Sequence, residues 1–418
     1  MPATHLERPA DAFAKHFLLP LTTLRERQTM KWQFYAPDVL PAWVAEMDYA
    51  LAPAISDVLS WWGQRQEAGY PYRQRDRAEF ALARAFSRYT RRAFDWETDP
   101  ADVLAVNELV QATFLAIMAF SEPGDGVLIQ TPCYPPFYEA VRDTGRRLQT
   151  SALVDDGGRF AIDFDHLQRQ VDPGTRILIL CNPHNPTGRA FSRDELDRLA
   201  DFVEANDLLV IADEIHADLV YPGRQHIPFA SLRPGLASRT VTLNSASKSF
   251  NIPGLRCGVM HFGTAELKAR FIRRQPARSL GYPSAIGIDA TVAAWDAGDD
   301  WLQGARHYLA DRREQTLATL RERLPQARIH SPEATYFAWI DLSALALPEP
   351  AGGWCLRHAG LALNAGETFI AEGQTRVRLN FATSQTILGQ ALDRLVNACQ
   401  ASTPPAFSAT APAPSHGE

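Results

Sequence analysis

Five short apolar runs punctuate the middle of the chain, and each ends abruptly in polar, glycine or proline residues. Val103–Val106 runs into Asn107, and Val127–Gln130 into Thr131-Pro132-Cys133-Tyr134. Ile177–Leu180 runs into Cys181-Asn182-Pro183-His184-Asn185-Pro186-Thr187-Gly188. Leu208–Ala212 is followed by Asp213-Glu214, and Thr240–Leu243 by Asn244-Ser245. Continuous apolar runs of this length suit strands buried on both faces. Helical patterns lie between them, as from Ser192 to Asn206, where Ser192 caps and Glu195 completes a capping box. This alternation predicts an α/β domain around a mainly parallel sheet. Open α/β sheets bind ligands beyond the carboxyl ends of their strands, which is where these polar residues fall.

The flanking regions read differently. A long charged helix is predicted from Trp301 to Leu324, followed by strands at Thr335–Ile340 and Val377–Phe381. These suit a smaller α+β domain. The organisation expected is a large domain over residues 56–295 and a small one over 296–400. Residues 1–55 would contribute to the small domain, and a Pro/Ala/Ser-rich disordered tail would span 401–418. No internal repeat is present.

Composition narrows the function. The net charge of −6 gives no reason to expect nucleic acid. No apolar stretch is long enough for a membrane span, and Met1 to His16 lacks the apolar core of a signal peptide. Cys133, Cys181, Cys257, Cys355 and Cys399 form no C-x-x-C pair. They read as buried thiols of a cytoplasmic protein rather than a disulfide or metal framework.

The cations carry a sharper signal. Of 42 lysines and arginines only Lys15, Lys31, Lys248 and Lys268 are lysines. Guanidinium stays protonated and cannot replace an amine that must attack a carbonyl. A lysine retained at Ser245-Ala246-Ser247-Lys248, in a chain that otherwise favours arginine, therefore points to Schiff-base chemistry.

These segments together resemble the fold-type-I pyridoxal-phosphate (PLP) enzymes of the class I/II aminotransferase superfamily. The resemblance spans roughly residues 30–398. It rests on Asn182–Gly188, Ala212-Asp213-Glu214-Ile215-His216, Ser245–Lys248 with Arg256, and Arg378-Leu379-Asn380. Softer features point to the branch of cystathionine β-lyases and a maltose-regulon modulator. These are Trp43–Asp48, Gly69-Tyr70 and Asn251–Leu255. The resemblance implies a large domain with a seven-stranded type of sheet and a smaller α+β domain. It implies that Lys248 holds PLP and moves protons at the substrate Cα. Asp213 would pair with the ring nitrogen. Asn185 and His216 would reach the phenolic oxygen, and Tyr134 would stack on the ring. Arg256, Ser245 and the helix amides at Leu109 and Val110 would bind the phosphate. Glycine is usual near Glu108, so its carboxylate is expected to point away from that phosphate. Tyr70 would reach the site of a neighbouring subunit, which makes the active unit a homodimer. Arg378, with Arg376 as a nearby competitor, would clamp the α-carboxylate of a small amino-acid substrate. Ala45 and Met47 would line the substrate pocket, with Glu46 where the family usually has aspartate.

These residues labilise an amino acid but do not choose its fate. The branch resemblance implies carbon–sulfur β-elimination from cystathionine or related S-substituted cysteines. Transamination is the second reading. A regulatory protein that keeps PLP is a third, although no DNA-binding helix-turn-helix extension is recognisable.

Overall fold

The computed structural model describes residues 7–73, 76–156 and 158–402. The proline-rich tail expected beyond Ser402 lies outside the described residues. Residues 401 and 402, assigned to that tail, instead complete the helix Gln385–Ser402.

Four of the five apolar runs become central strands of an eight-stranded sheet, and the fifth, Val103–Val106, forms one of its edges. Its strands are β1 (Val103–Val106), β2 (Gly126–Thr131), β3 (Arg147–Asp155), β4 (Phe160–Ile162), β5 (Thr175–Cys181), β6 (Leu209–Asp213), β7 (Thr240–Asn244) and β8 (Gly258–Phe262). The order is β1-β8-β7-β6-β5-β2-β3-β4. β7, β6, β5, β2 and β3 pair in parallel. β8 pairs antiparallel with both β7 and β1, and β4 antiparallel with β3. The seven-stranded expectation is thus extended by one short edge strand, which folds back from β3 as a hairpin.

Alternate residues of the central strands enter different cores. Ile177, Ile179, Ile211, Val241 and Leu243 pack with Leu115, Ala116 and Ile117 of helix Leu109–Phe120. Leu178, Leu180, Val210 and Ala212 pack on the other face with Leu196, Leu199 and Val203 of helix Arg193–Ala205. Burial on both faces is why these strands read as unbroken apolar runs. The second helix starts at the predicted capping box, with Ser192 accepting from the Glu195 amide and Glu195 accepting from the Ser192 amide.

A separate four-stranded antiparallel sheet follows. It contains β9 (Arg328–Ile329), β10 (Phe337–Asp341), β11 (Asn364–Ala365) and β12 (Arg376–Asn380), in the order β9-β10-β12-β11. The long helix Asp299–Arg323 precedes it. The N-terminal segment crosses to this part of the molecule: Leu40 and Pro41 pair in parallel with Leu361 and Ala362. Its return is pinned by a buried ion pair between Lys31 and Asp48 at 2.8 Å.

Candidate active site

Register brings the chemistry together. Cys181 on β5 lies beside Asp213 on β6, which lies beside Leu243 on β7. The loops leaving these strands therefore start at one level, on the carboxyl edge of the sheet. β8 runs the other way, so the residues that precede it arrive at the same edge. This brings Arg256 in beside the loops of β1 and β7. Gly258 allows the close approach, because a Cβ there would stand 2.8 Å from the Leu109 side chain.

A cavity of about 450 Å³ opens at this edge. Of the residues singled out from sequence, Lys248, Asp213, Asn185, His216, Tyr134, Ser245, Arg256, Leu109, Val110, Arg378 and Ala45 all line it. Lys248 donates to the Ala45 carbonyl at 3.4 Å. Burial, with Arg378 nearby, lowers its amine from 10.5 to about 8. Burial raises Asp213 from 3.8 to about 6. One oxygen of Asp213 accepts from the Ile215 amide at 3.1 Å. The adjacent Glu214 is spent elsewhere, on His226 and the Phe229 amide. Burial lowers His216 to about 3, so its ring is neutral, and its buried Nδ1 has no hydrogen-bond partner among the described residues.

Arg378 is held from several sides. It donates to Asn185 Oδ1 and Asn364 Oδ1, each at 2.6 Å, and to the Trp43 carbonyl at 3.3 Å. Its guanidinium lies over the rings of Phe337 and Phe369. The buried Nε has no partner among the described residues, so donor capacity remains for a carboxylate. Because Asn185 uses its oxygen on Arg378, its NH₂ group is left to donate. Arg376 turns instead to Asp341, 3.6 Å away. Asn380, the last residue of the Arg-Leu-Asn motif, donates to the carbonyls of Val44 and Glu46, both at 2.7 Å. It thereby fixes Ala45 opposite Lys248.

Several expectations are corrected. Met47 does not line the cavity. Asn251 clamps its backbone through two 2.8 Å bonds and its side chain enters the core. The Ser245 hydroxyl is already committed, donating to the Cys257 carbonyl at 2.6 Å and accepting from the Ser247 amide at 3.0 Å. Ser247, not singled out from sequence, lines the cavity, and its hydroxyl makes no protein hydrogen bond among the described residues. Glu108 does not point away: it lines the cavity and forms an ion pair with Arg256. Tyr70 is not among these corrections: expected to serve a neighbouring subunit's site, it is fully exposed in the single chain, on a separate surface pocket with Trp62 and Ile286. Trp43 and Asn364 also line the site. Trp43 opens the Trp43–Asp48 segment on which the branch resemblance rests, whereas no local sequence pattern marks Asn364.

An open α/β sheet with a half-buried lysine and a buried aspartate and arginine converging at its carboxyl edge defines a class of enzyme, and comparison names it. Residues 62–395 match the family Aminotransferase class I and II, and the chain belongs to that family. It is 33% identical over 376 residues to the cystathionine β-lyase PatB of Bacillus subtilis, covering 88% of this chain and 96% of PatB. The PLP-bound C–S lyase of Staphylococcus hominis superposes with a TM-score of 0.83 at 28% identity, over 90% of this chain and 96% of that one. The N-succinyldiaminopimelate aminotransferase of Mycobacterium tuberculosis gives a TM-score of 0.78 at 30% identity, over 86% and 93%. No helix among the described residues is long and apolar enough to cross a membrane.

Proposed function

We propose that this protein is a PLP-dependent carbon–sulfur β-lyase. Its substrates would be L-cystathionine or related S-substituted cysteines, and its products a thiol, pyruvate and ammonia with one water consumed. The observation that carries the reading is the convergence of Lys248, Asp213, Asn185 and Arg378 on one cavity, in a chain whose lyase relatives match it along most of its length.

The residues present fit the cofactor. The cavity offers an amine, a buried carboxylate whose second oxygen has no hydrogen-bond partner among the described residues, an amide NH₂ and a neutral imidazole. It also offers Tyr134 for the ring. A helix begins at Leu109 with no side-chain cap on its amides, beside Arg256 and Ser247. That end suits a phosphate. Lys248 would hold the cofactor covalently, Asp213 its ring nitrogen, and Asn185 and His216 its phenolic oxygen. When bound, PLP supplies an electron sink that makes the substrate Cα–H acidic.

The remaining chemistry belongs to the chain. Arg378 fixes the substrate carboxylate in a fork geometry and so sets the direction of the Cα–H bond. Lys248 takes the Cα proton with its neutral amine. The Cβ–S electron pair leaves with sulfur, which is protonated to the thiol. Aromatic walls at Phe337 and Phe369 keep Arg378 dry, which strengthens its hold on a carboxylate.

A homodimer with shared sites belongs to the same proposal. Tyr70, Tyr72 and Tyr282 are all exposed in the single chain, and a symmetric partner would cover them. The five buried cysteines, with no disulfide among the described residues, suit the reducing cytoplasm.

Transamination is the competing reading, favoured by the aminotransferase likeness. Purified protein given L-cystathionine separates the two. Equal yields of pyruvate and thiol, lost in Lys248→Ala, support the lyase. Conversion of the cofactor to its amine form without pyruvate, reversed by a 2-oxo acid, supports transamination instead.

A further inference from the structure

The phosphate end of the cavity already holds an anion. Glu108 stands at the N-cap of helix Leu109–Phe120, and its carboxylate is ion-paired with Arg256. Both side chains, with Asn107, line the main cavity and also a second one of about 620 Å³, which Gln111, Tyr282 and Ser284 complete. Both are half-exposed, so the pair is not locked into a core. Arg256 has a left-handed backbone, φ 50°, which non-glycine residues adopt at a cost. The same residue lines both cavities.

We infer that Glu108 is an internal competitor for the cofactor phosphate. It holds Arg256 while the cofactor is away and must be displaced when the cofactor enters. The inference rests on the PLP reading above. Arg256 is the single guanidinium among the residues facing that end of the cavity. A phosphate bound there would bring two anions onto one cation, and like charges at such range repel. The second cavity gives the Glu108 side chain room to turn outward while the Leu109 and Val110 amides stay in place for the phosphate. Glu108 therefore weakens cofactor binding, and only through the phosphate. An exposed pair is partly screened by water and salt, so the effect is a modest factor.

Titration of cofactor-free protein with PLP, and separately with pyridoxal, tests this in the native protein, Glu108→Gln and Glu108→Gly. Bound cofactor is read by its absorbance, without reference to turnover. Both variants are expected to bind PLP about two- to fivefold more tightly than the native protein, with pyridoxal affinity unchanged. Gln keeps the side-chain shape, and Gly is well tolerated at an N-cap, so at least one variant reports on a folded chain. PLP affinity that is unchanged or weaker in both variants overturns the inference and makes Glu108 an orienting group for Arg256. Equal tightening for pyridoxal overturns it as well, because the effect would not pass through phosphate. A native protein that takes up no PLP overturns the cofactor reading itself, and this inference with it.

Discussion

Loss of solvation disfavours the charged forms of both Asp213 and Lys248, raising one pKa and lowering the other, and both effects can be measured. Burial raises Asp213 to about 6. A folded value above the unfolded one means stability is lost as pH rises from about 4 through 6, and at pH 7 the loss is complete. Asp213→Asn keeps an acceptor for the Ile215 amide and removes that charge. In cofactor-free protein it should add about 2–3 kcal/mol at pH 7 and little below pH 4, while abolishing turnover. Denaturant midpoints at the two pH values check this. Lys248 is lowered to about 8, and only its neutral form attacks an aldehyde. Capture of PLP by cofactor-free protein should quicken up to about pH 8 and then level off, whereas an unperturbed lysine would keep gaining rate toward 10.5. Stopped-flow absorbance distinguishes the two profiles. Lys248 was legible because lysine is scarce in this chain and chemistry here demands it. The commitment of the Ser245 hydroxyl to Cys257 was not, because a carbonyl twelve residues away leaves no trace in local pattern.

The loop Asn182–Gly188 shows what an element contributes beyond its motif. Gly188 has φ +72°, and a Cβ there would lie 2.4 Å from Pro332 Cβ. Its carbonyl accepts from the amides of both Glu333 and Ala334, so the loop carrying Asn185 is tied to the segment leading into β10. Gly188→Ala should cost about 2–4 kcal/mol and reduce turnover, because Asn185 shifts under Arg378. Urea unfolding together with steady-state kinetics reads both effects. The strands β1, β2, β5, β6 and β7 were visible as apolar runs. β8 was not recognised, although it is what delivers Arg256 to the site. Residues Gly258–Phe262 include His261, which interrupts the apolar pattern. β3 is amphipathic and exposed along much of one side, so it too lacks the signal of a doubly buried strand.

At the scale of the whole molecule, the site is assembled from segments far apart in sequence. Asn380 bonds to Val44 and Glu46, Asn251 to Met47, and Arg378 to Trp43. The N-terminal segment thus forms one wall of a cavity floored by the large sheet. If Tyr70 completes the neighbouring subunit's site, mixing two inactive variants should restore activity. In a mixed dimer of Lys248→Ala and Tyr70→Ala, one site lacks both groups and the other has both. Refolded mixtures should recover up to about a quarter of native activity, the share expected when half the dimers are mixed and each has one intact site. No recovery would place Tyr70 outside the shared site. The most direct measurement of the central claim exploits the four lysines. Lys31 is consumed by Asp48 and the Glu46 carbonyl, Lys268 by the carbonyls of Ala101 and Val103, and Lys15 is exposed. Borohydride reduction of the PLP-loaded protein, followed by peptide mass spectrometry, locates the attachment point. The account predicts a pyridoxyl adduct on Lys248 alone; an adduct on Lys15, Lys31 or Lys268 with Lys248 unmodified would contradict it.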